Sequence, residues 1–368
     1  MILYNSIVWS FIYHHHGRSL IGSNHSFSSH FSVYKKPAAT KMSSTIENDT
    51  HVPSQHESEA TLSLLSAISL LIISVITVVG NGILCVAMYK DPLKCFRSSP
   101  MLFVANLAVA DFLTGFIVDP LYIAYNFGYY QARDYQTALT AGDHASYITV
   151  NLSLCTVVVL VVDRFLALNT PIRYRNVMTR RVAGGTIAVL WVYSVLFSFL
   201  RNIGVPENTY YLLDLHIHVT GSLVTLTVFL VLIYRRSVVA RNQRVDLADS
   251  TSRFDEQRKQ MIGDAKIIRT FLIILAACYL CLLPYYIYMH VYLFCATCQT
   301  NIVLTAMSKI SEPVVYLNCA VNPFIYAWRH KMFRNSLRAV VMKQNTVNQE
   351  VIISQRTGTS QLCEMQNT

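Results

Sequence analysis

The chain has 368 residues, 53% of them hydrophobic and 14% charged, with a formal net charge of +10. That apolar fraction is little above a soluble average and decides nothing alone. The basic balance invites a nucleic-acid partner, but the placement of the charges argues against one: they fall in alternate loops between apolar runs. Seven such runs, at about 62–88, 100–124, 135–168, 182–200, 211–234, 267–294 and 302–328, each reach the roughly 20 residues that cross a bilayer as a helix. Seven buried soluble helices of this length, separated by short polar loops, are a poor alternative.

Residues 1–60 precede the first run and form a tail. Asn24 and Asn48 begin glycosylation acceptor patterns there. Met1–Tyr13 is a short apolar run without a basic leader, a poor signal peptide. Met42 is the expected start, because Met42–Ala60 reads as an ordinary acidic, hydroxyl-rich outer tail. Lys and Arg crowd the loops after runs one, three, five and seven, while the alternate loops carry little more than Arg133 and Arg201. The positive-inside rule puts the tail outside and the C-terminus in the cytoplasm; the basic loops also face anionic lipid.

Polar residues interrupt the runs where lipid disfavours them. Asn81 lies in span one, Asp111 in span two, Ser153 in span three, and Asn318 and Asn322 in span seven, at similar depth if the spans alternate in direction. Such a layer holds a water or a sodium ion around the carboxylate, or it is a plain interhelical network. Asp163-Arg164 closes span three, and Arg164 can pair with Asp163 beside it or with Asp264 at the start of span six. Their pairing would make a bistable latch, against plain snorkelling of a terminal Arg. Pro284 and Pro323 each remove a hydrogen bond inside a helix and kink it, with Tyr326 one turn further in. Asp119, Asp143 and Glu312 lie toward the outside, with Tyr147, Tyr285, Tyr288 and Tyr316 nearby. An acidic, aromatic mouth favours a cationic amine or peptide; the bland alternative is acids solvated at the rim or bonded between helices. Cys295 and Cys298 share the last outer loop, where a disulfide is permitted but closes a tight ring. After span seven, 329–342 is basic on one face and apolar on the other, an amphipathic surface helix, and 343–368 is a cytoplasmic tail with phosphorylatable hydroxyls. No activated nucleophile, phosphate loop or workable metal cluster stands out, so no enzyme activity and no resident cofactor beyond the sodium ion are expected.

These residues carry a resemblance to class A (rhodopsin-like) G-protein-coupled receptors. Gly80-Asn81, Asn106–Asp111, Asp163-Arg164-Phe165, Trp191, Asn322-Pro323-Phe324-Ile325-Tyr326 and Phe333-Arg334 resemble that family's signatures, in order and on the right spans. The resemblance implies an all-α seven-transmembrane bundle over 61–328 with a short amphipathic eighth helix. It also implies a sodium site around Asp111, Ser153 and Asn318, and rearrangement of Arg164, Tyr234 and Tyr326 to admit a heterotrimeric G protein. An outside ligand is then a partner, with arrestin and a receptor kinase at the tail. The departures lie toward the outside. Leu139 stands where the family has a span-three cysteine, and residues 201–215 contain none, so the disulfide staple is absent. Leu282 replaces the span-six tryptophan, Leu226 the span-five proline, Ser146 the aminergic aspartate and Tyr316 the opsin lysine. Loss of the staple with a short second outer loop, about 201–211, resembles melanocortin and cannabinoid-like receptors. A transporter, or a seven-helix protein that does not signal, are the rivals; the first predicts internal repeats, which are not evident.

Overall fold

The computed structural model describes residues 52–91, 96, 98–133, 135–246, 251–329 and 334–335, all within one compact unit. Every element among them is helical. Span one is Val52–Lys90 and span two runs unbroken from Ser99 to Tyr130. Span three is Gln136–Asn169 and span four Arg180–Ser198. Span five runs from Glu207 to Asp246, span six is Thr251–Phe294 and span seven Ile302–Arg329. By length and apolarity alone, six are fit to cross a membrane. Span seven has the length, 28 residues, but carries the polar side chains Lys309, Glu312, Asn318 and Asn322.

Spans one, two and seven pack together; span three touches two, four and five; six joins five to seven. Side chains such as Leu65, Ile72, Val189 and Leu280 are exposed on the outer faces, as lipid contact requires. The approach of span one to span seven depends on Gly80, where an added Cβ would lie 3.1 Å from the Pro323 ring.

The ends differ from the expected spans for local reasons. Spans five and six extend past the apolar runs because Arg, Gln, Lys and Glu continue a helix well in water. The second outer loop is shorter than 201–211: one tight turn, Leu200–Ile203, ends at left-handed Gly204, and span five starts at Glu207. Between spans three and four, Pro171–Val177 forms a short helix with proline at its first turn. Spans two and five each contain a π-helical turn, Thr114–Val118 and Leu215–Thr220, which no sequence signal announced. Spans six and seven continue through Pro284, Pro313 and Pro323. Asn24, Asn48, nearly all of the eighth helix and the tail lie outside the described residues, as do the side chains of Asp264 and Tyr326.

Candidate functional site

At the cytoplasmic end of span three, Asp163 is buried and holds two partners. Arg164 donates to its Oδ2 from Nε at 3.0 Å and Nη2 at 2.6 Å. Tyr174, on the short inner helix, donates its hydroxyl to Oδ1 at 2.7 Å and lies 3.4 Å from Arg164 Nη2. Burial pushes the Tyr174 phenol above its ordinary value; the arginine pulls it down and the carboxylate adds to the rise. The phenol is therefore a protonated donor at neutral pH. Asp163 is one of the two partners that sequence reasoning offered for Arg164; the side chain of the other, Asp264, lies outside the described residues. Tyr174 was missed as a third member, and a tyrosine ten residues along in a basic loop gives no signal of it. Tyr234 is exposed and stands apart from this cluster.

Midway, Asp111 is fully buried. Ser153 donates to its Oδ1 at 2.8 Å and Asn322 to its Oδ2 at 2.7 Å. The expected five-member layer is looser than the sequence implied. Asn81 gives its amide to the carbonyls of Thr77 and Cys319, because these reach it before the carboxylate does. Asn318 accepts from the Cys278 thiol at 3.7 Å. Asn81 Oδ1 is buried without a hydrogen-bond partner among the described residues. An all-oxygen set with a spare oxygen fits a hard cation such as sodium.

Further out, the acids are not free at a rim. Asp143 accepts from the Tyr122 hydroxyl at 2.7 Å and from Arg201 at 3.4 Å. Arg201 also donates to Glu207 at 2.9 Å and lies over the rings of Tyr210 and Tyr211. It thus bridges span three to the head of span five, across the loop where the cysteine staple is missing. Glu312 Oε2 accepts from Ser66 and Asn126, and Asn126 Oδ1 accepts from Lys309 at 2.7 Å. Asp119 has no exposed surface, so it lines the bundle interior rather than a mouth. Ser146 lies 3.1 Å from the Tyr316 hydroxyl, Tyr316 packs on Tyr122, and Tyr147 packs edge-on against Tyr210. Tyr285 and Tyr288 line span six, 6.4 Å apart between ring centroids. Cys295 and Cys298 form a disulfide, with Cα atoms 5.3 Å apart.

Sequence reasoning missed two polar networks. Asn106 donates to Thr156 and accepts from Trp191, tying spans two, three and four. Asp214 accepts from Asn151 at 2.8 Å and lies 2.9 Å from His218 Nδ1, whose Nε2 is 2.9 Å from the Tyr193 hydroxyl. His218 is thereby tied to span four rather than paired with His216, which contacts His290 of span six. Asn151 is itself buried inside span three, where its carboxamide serves this network.

Comparison with known proteins agrees with this geometry. Residues 80–326 match the family described as 7 transmembrane receptor (rhodopsin family). The adenosine receptor A2a of Canis lupus familiaris is 25% identical over 300 residues, covering 74% of this chain and 70% of that protein. The histamine H2 receptor of the same species is 23% identical over 324 residues, covering 82% and 86%. The adenosine receptor A2b of Gallus gallus is 29% identical over 134 residues, covering 36% and 38%. With the match spanning most of the helical bundle and the polar layers in their expected order, the chain belongs to the rhodopsin family of seven-transmembrane receptors: it is a G-protein-coupled receptor of the plasma membrane, answering an extracellular ligand by activating a G protein.

Proposed function

We propose that Asp163, Arg164 and Tyr174 form the lock that closes the cytoplasmic face, and that its release lets Arg164 engage the G protein. The observation that carries this reading is the double capture of the Asp163 carboxylate, by Arg164 and by the inner-loop Tyr174. The carboxylate keeps its charge-assisted bonds only while both stay in place. Displacing span six about Pro284 and span seven about Pro323 is the motion that would reach it, with Tyr234, Asp264 and Tyr326 as the side chains that follow. The N-terminal tail 1–60 is then extracellular and carries sugar at Asn24 or Asn48. The amphipathic 329–342 rests on lipid, and 343–368 offers hydroxyls to a receptor kinase and arrestin.

The ligand enters among Asp143, Ser146, Tyr147, Tyr285, Tyr288, Glu312 and Tyr316. Asp143 lies one helical turn outward from Ser146, so a cationic amine or basic peptide can pair with it, in competition with Arg201. A histamine receptor among the relatives is in keeping with an amine. Asp111, Asn81, Ser153, Asn318 and Asn322 would hold a sodium ion, which supplies charge compensation to a buried carboxylate.

A ligand screen on surface-expressed receptor with a broad G-protein readout tests this. Arg164→Ala is expected to abolish the response while preserving surface expression and ligand binding. A response that survives Arg164→Ala would overturn the lock, and agonist affinity equally sodium-dependent after Asp111→Asn would overturn the sodium site.

A further inference from the structure

The π turn in span two moves Asp119. In an unbroken α-helix a residue eight positions on lies about 80° around the axis from its starting point. The extra residue in the π turn takes back about 100°, leaving Asp119 within about 20° of the Asp111 face. Asp119 accordingly lies within electrostatic range of Glu312, Tyr316 and Cys319, successive turns of the inner strip of span seven. It is completely buried, and among the described residues neither carboxylate oxygen has a hydrogen-bond partner. Glu312 Oε1 is also buried without a partner, as is the Ser63 hydroxyl, one turn outward from Ser66 on span one. A buried carboxylate with nothing bound to either oxygen is costly, and native interiors rarely leave one so.

We propose that Asp119 and Glu312 bind a monovalent metal cation between spans one, two and seven, in a site separate from that at Asp111. Three oxygen atoms of two carboxylates share this need. A single proton shared between the acids would serve two of them, whereas a metal ion serves all three. The charges agree. Asp119 and Glu312 contribute two negatives, and Lys309, joined to Glu312 through the Asn126 carboxamide, returns one positive. One negative charge remains, which a monovalent ion neutralises and a divalent ion overshoots. Glu59 also lies near Lys309, but it is half-buried at the outer end of span one and bonded to Tyr129, where solvent screens it. Oxygen-only ligands select a hard cation such as sodium. Because Asp119 has no exposed surface, a bare ion fits where the amine of an outside ligand does not.

The test is thermal unfolding of the purified full-length receptor, without ligand or G protein, as sodium replaces N-methylglucamine at constant ionic strength. Asp111→Asn removes the other site. In that variant a saturable rise of the midpoint with sodium is expected, and Asp119→Asn or Glu312→Gln added to it is expected to abolish the rise. No sodium response in Asp111→Asn alone overturns the proposal, and that measurement holds even if the Asp119 variant does not fold. An equal response in the double variants overturns it too. So does full stabilisation by acid in sodium-free buffer, which means a shared proton, or stronger stabilisation by calcium than by sodium. A receptor silent in signalling assays leaves this outcome untouched, so the two readings fail separately.

Discussion

The inner and outer halves of this receptor are built by different rules. In the inner half two buried acids each gather donors of their own: Asp111 has Ser153 and Asn322, and Asp163 has Arg164 and Tyr174. In the outer half, groups are shared. Arg201 serves two acids, and Asn126 serves both Lys309 and Glu312. On the proposed function, dedicated pairs make a switch with two states, and shared partners make a surface in which one new charge redistributes many contacts.

Breaking the inner rule should have the largest effect. Arg164→Ala is expected to lower nucleotide exchange by at least about tenfold, or ~1.4 kcal/mol in the activated step, measured by guanine-nucleotide exchange in membranes. Asp163→Asn should act in the opposite direction and raise exchange without ligand, because Arg164 and Tyr174 lose the charge that holds them. Next comes the shared network under the outer half. Asp214→Ala leaves Asn151 and His218 without their common acceptor, and should cost about 1–3 kcal/mol in thermal unfolding. Gly80→Ala presses a methyl on the Pro323 ring and should cost about 1 kcal/mol or more. Trp191→Phe removes one hydrogen bond to Asn106 and should cost only about 0.6 kcal/mol. Arg201→Ala should fall in the same low range, below about 1 kcal/mol because both its ion pairs meet solvent, and its effect should vanish at high salt. Equal stability losses for Asp214→Ala and Arg201→Ala would erase the contrast between the buried Asp214 network and the solvent-facing Arg201 bridge.

The inner half was legible in the sequence because a polar residue in lipid is rare and conspicuous. Asp111, Asp163, Arg164 and Asn322 each lie on an uninterrupted stretch of helix, so counting along the chain placed them correctly. Span positions were legible for the same reason. The outer half was not, and the π turns explain much of this. Beyond Thr114–Val118 and Leu215–Thr220, counting by 3.6 residues assigns the wrong face. Asp119 therefore read as a mouth residue and is buried, while Asp214 and His218, one turn apart, went unremarked because Asn151 and Tyr193, which complete their network, lie on other spans. Arg201 was noticed only as a stray charge in an outer loop, since nothing in a sequence says that Gly204 turns the chain back so soon.

The bridge made by Arg201 has one further consequence. A covalent link at this place would yield only to a thiol. A guanidinium held by two carboxylates yields to any competing charge, and closes again when that charge leaves. The grip of the outer loop on span three therefore follows the ionic strength of the surrounding fluid. Reducing agents, which would loosen a disulfide-stapled relative there, should leave this joint intact.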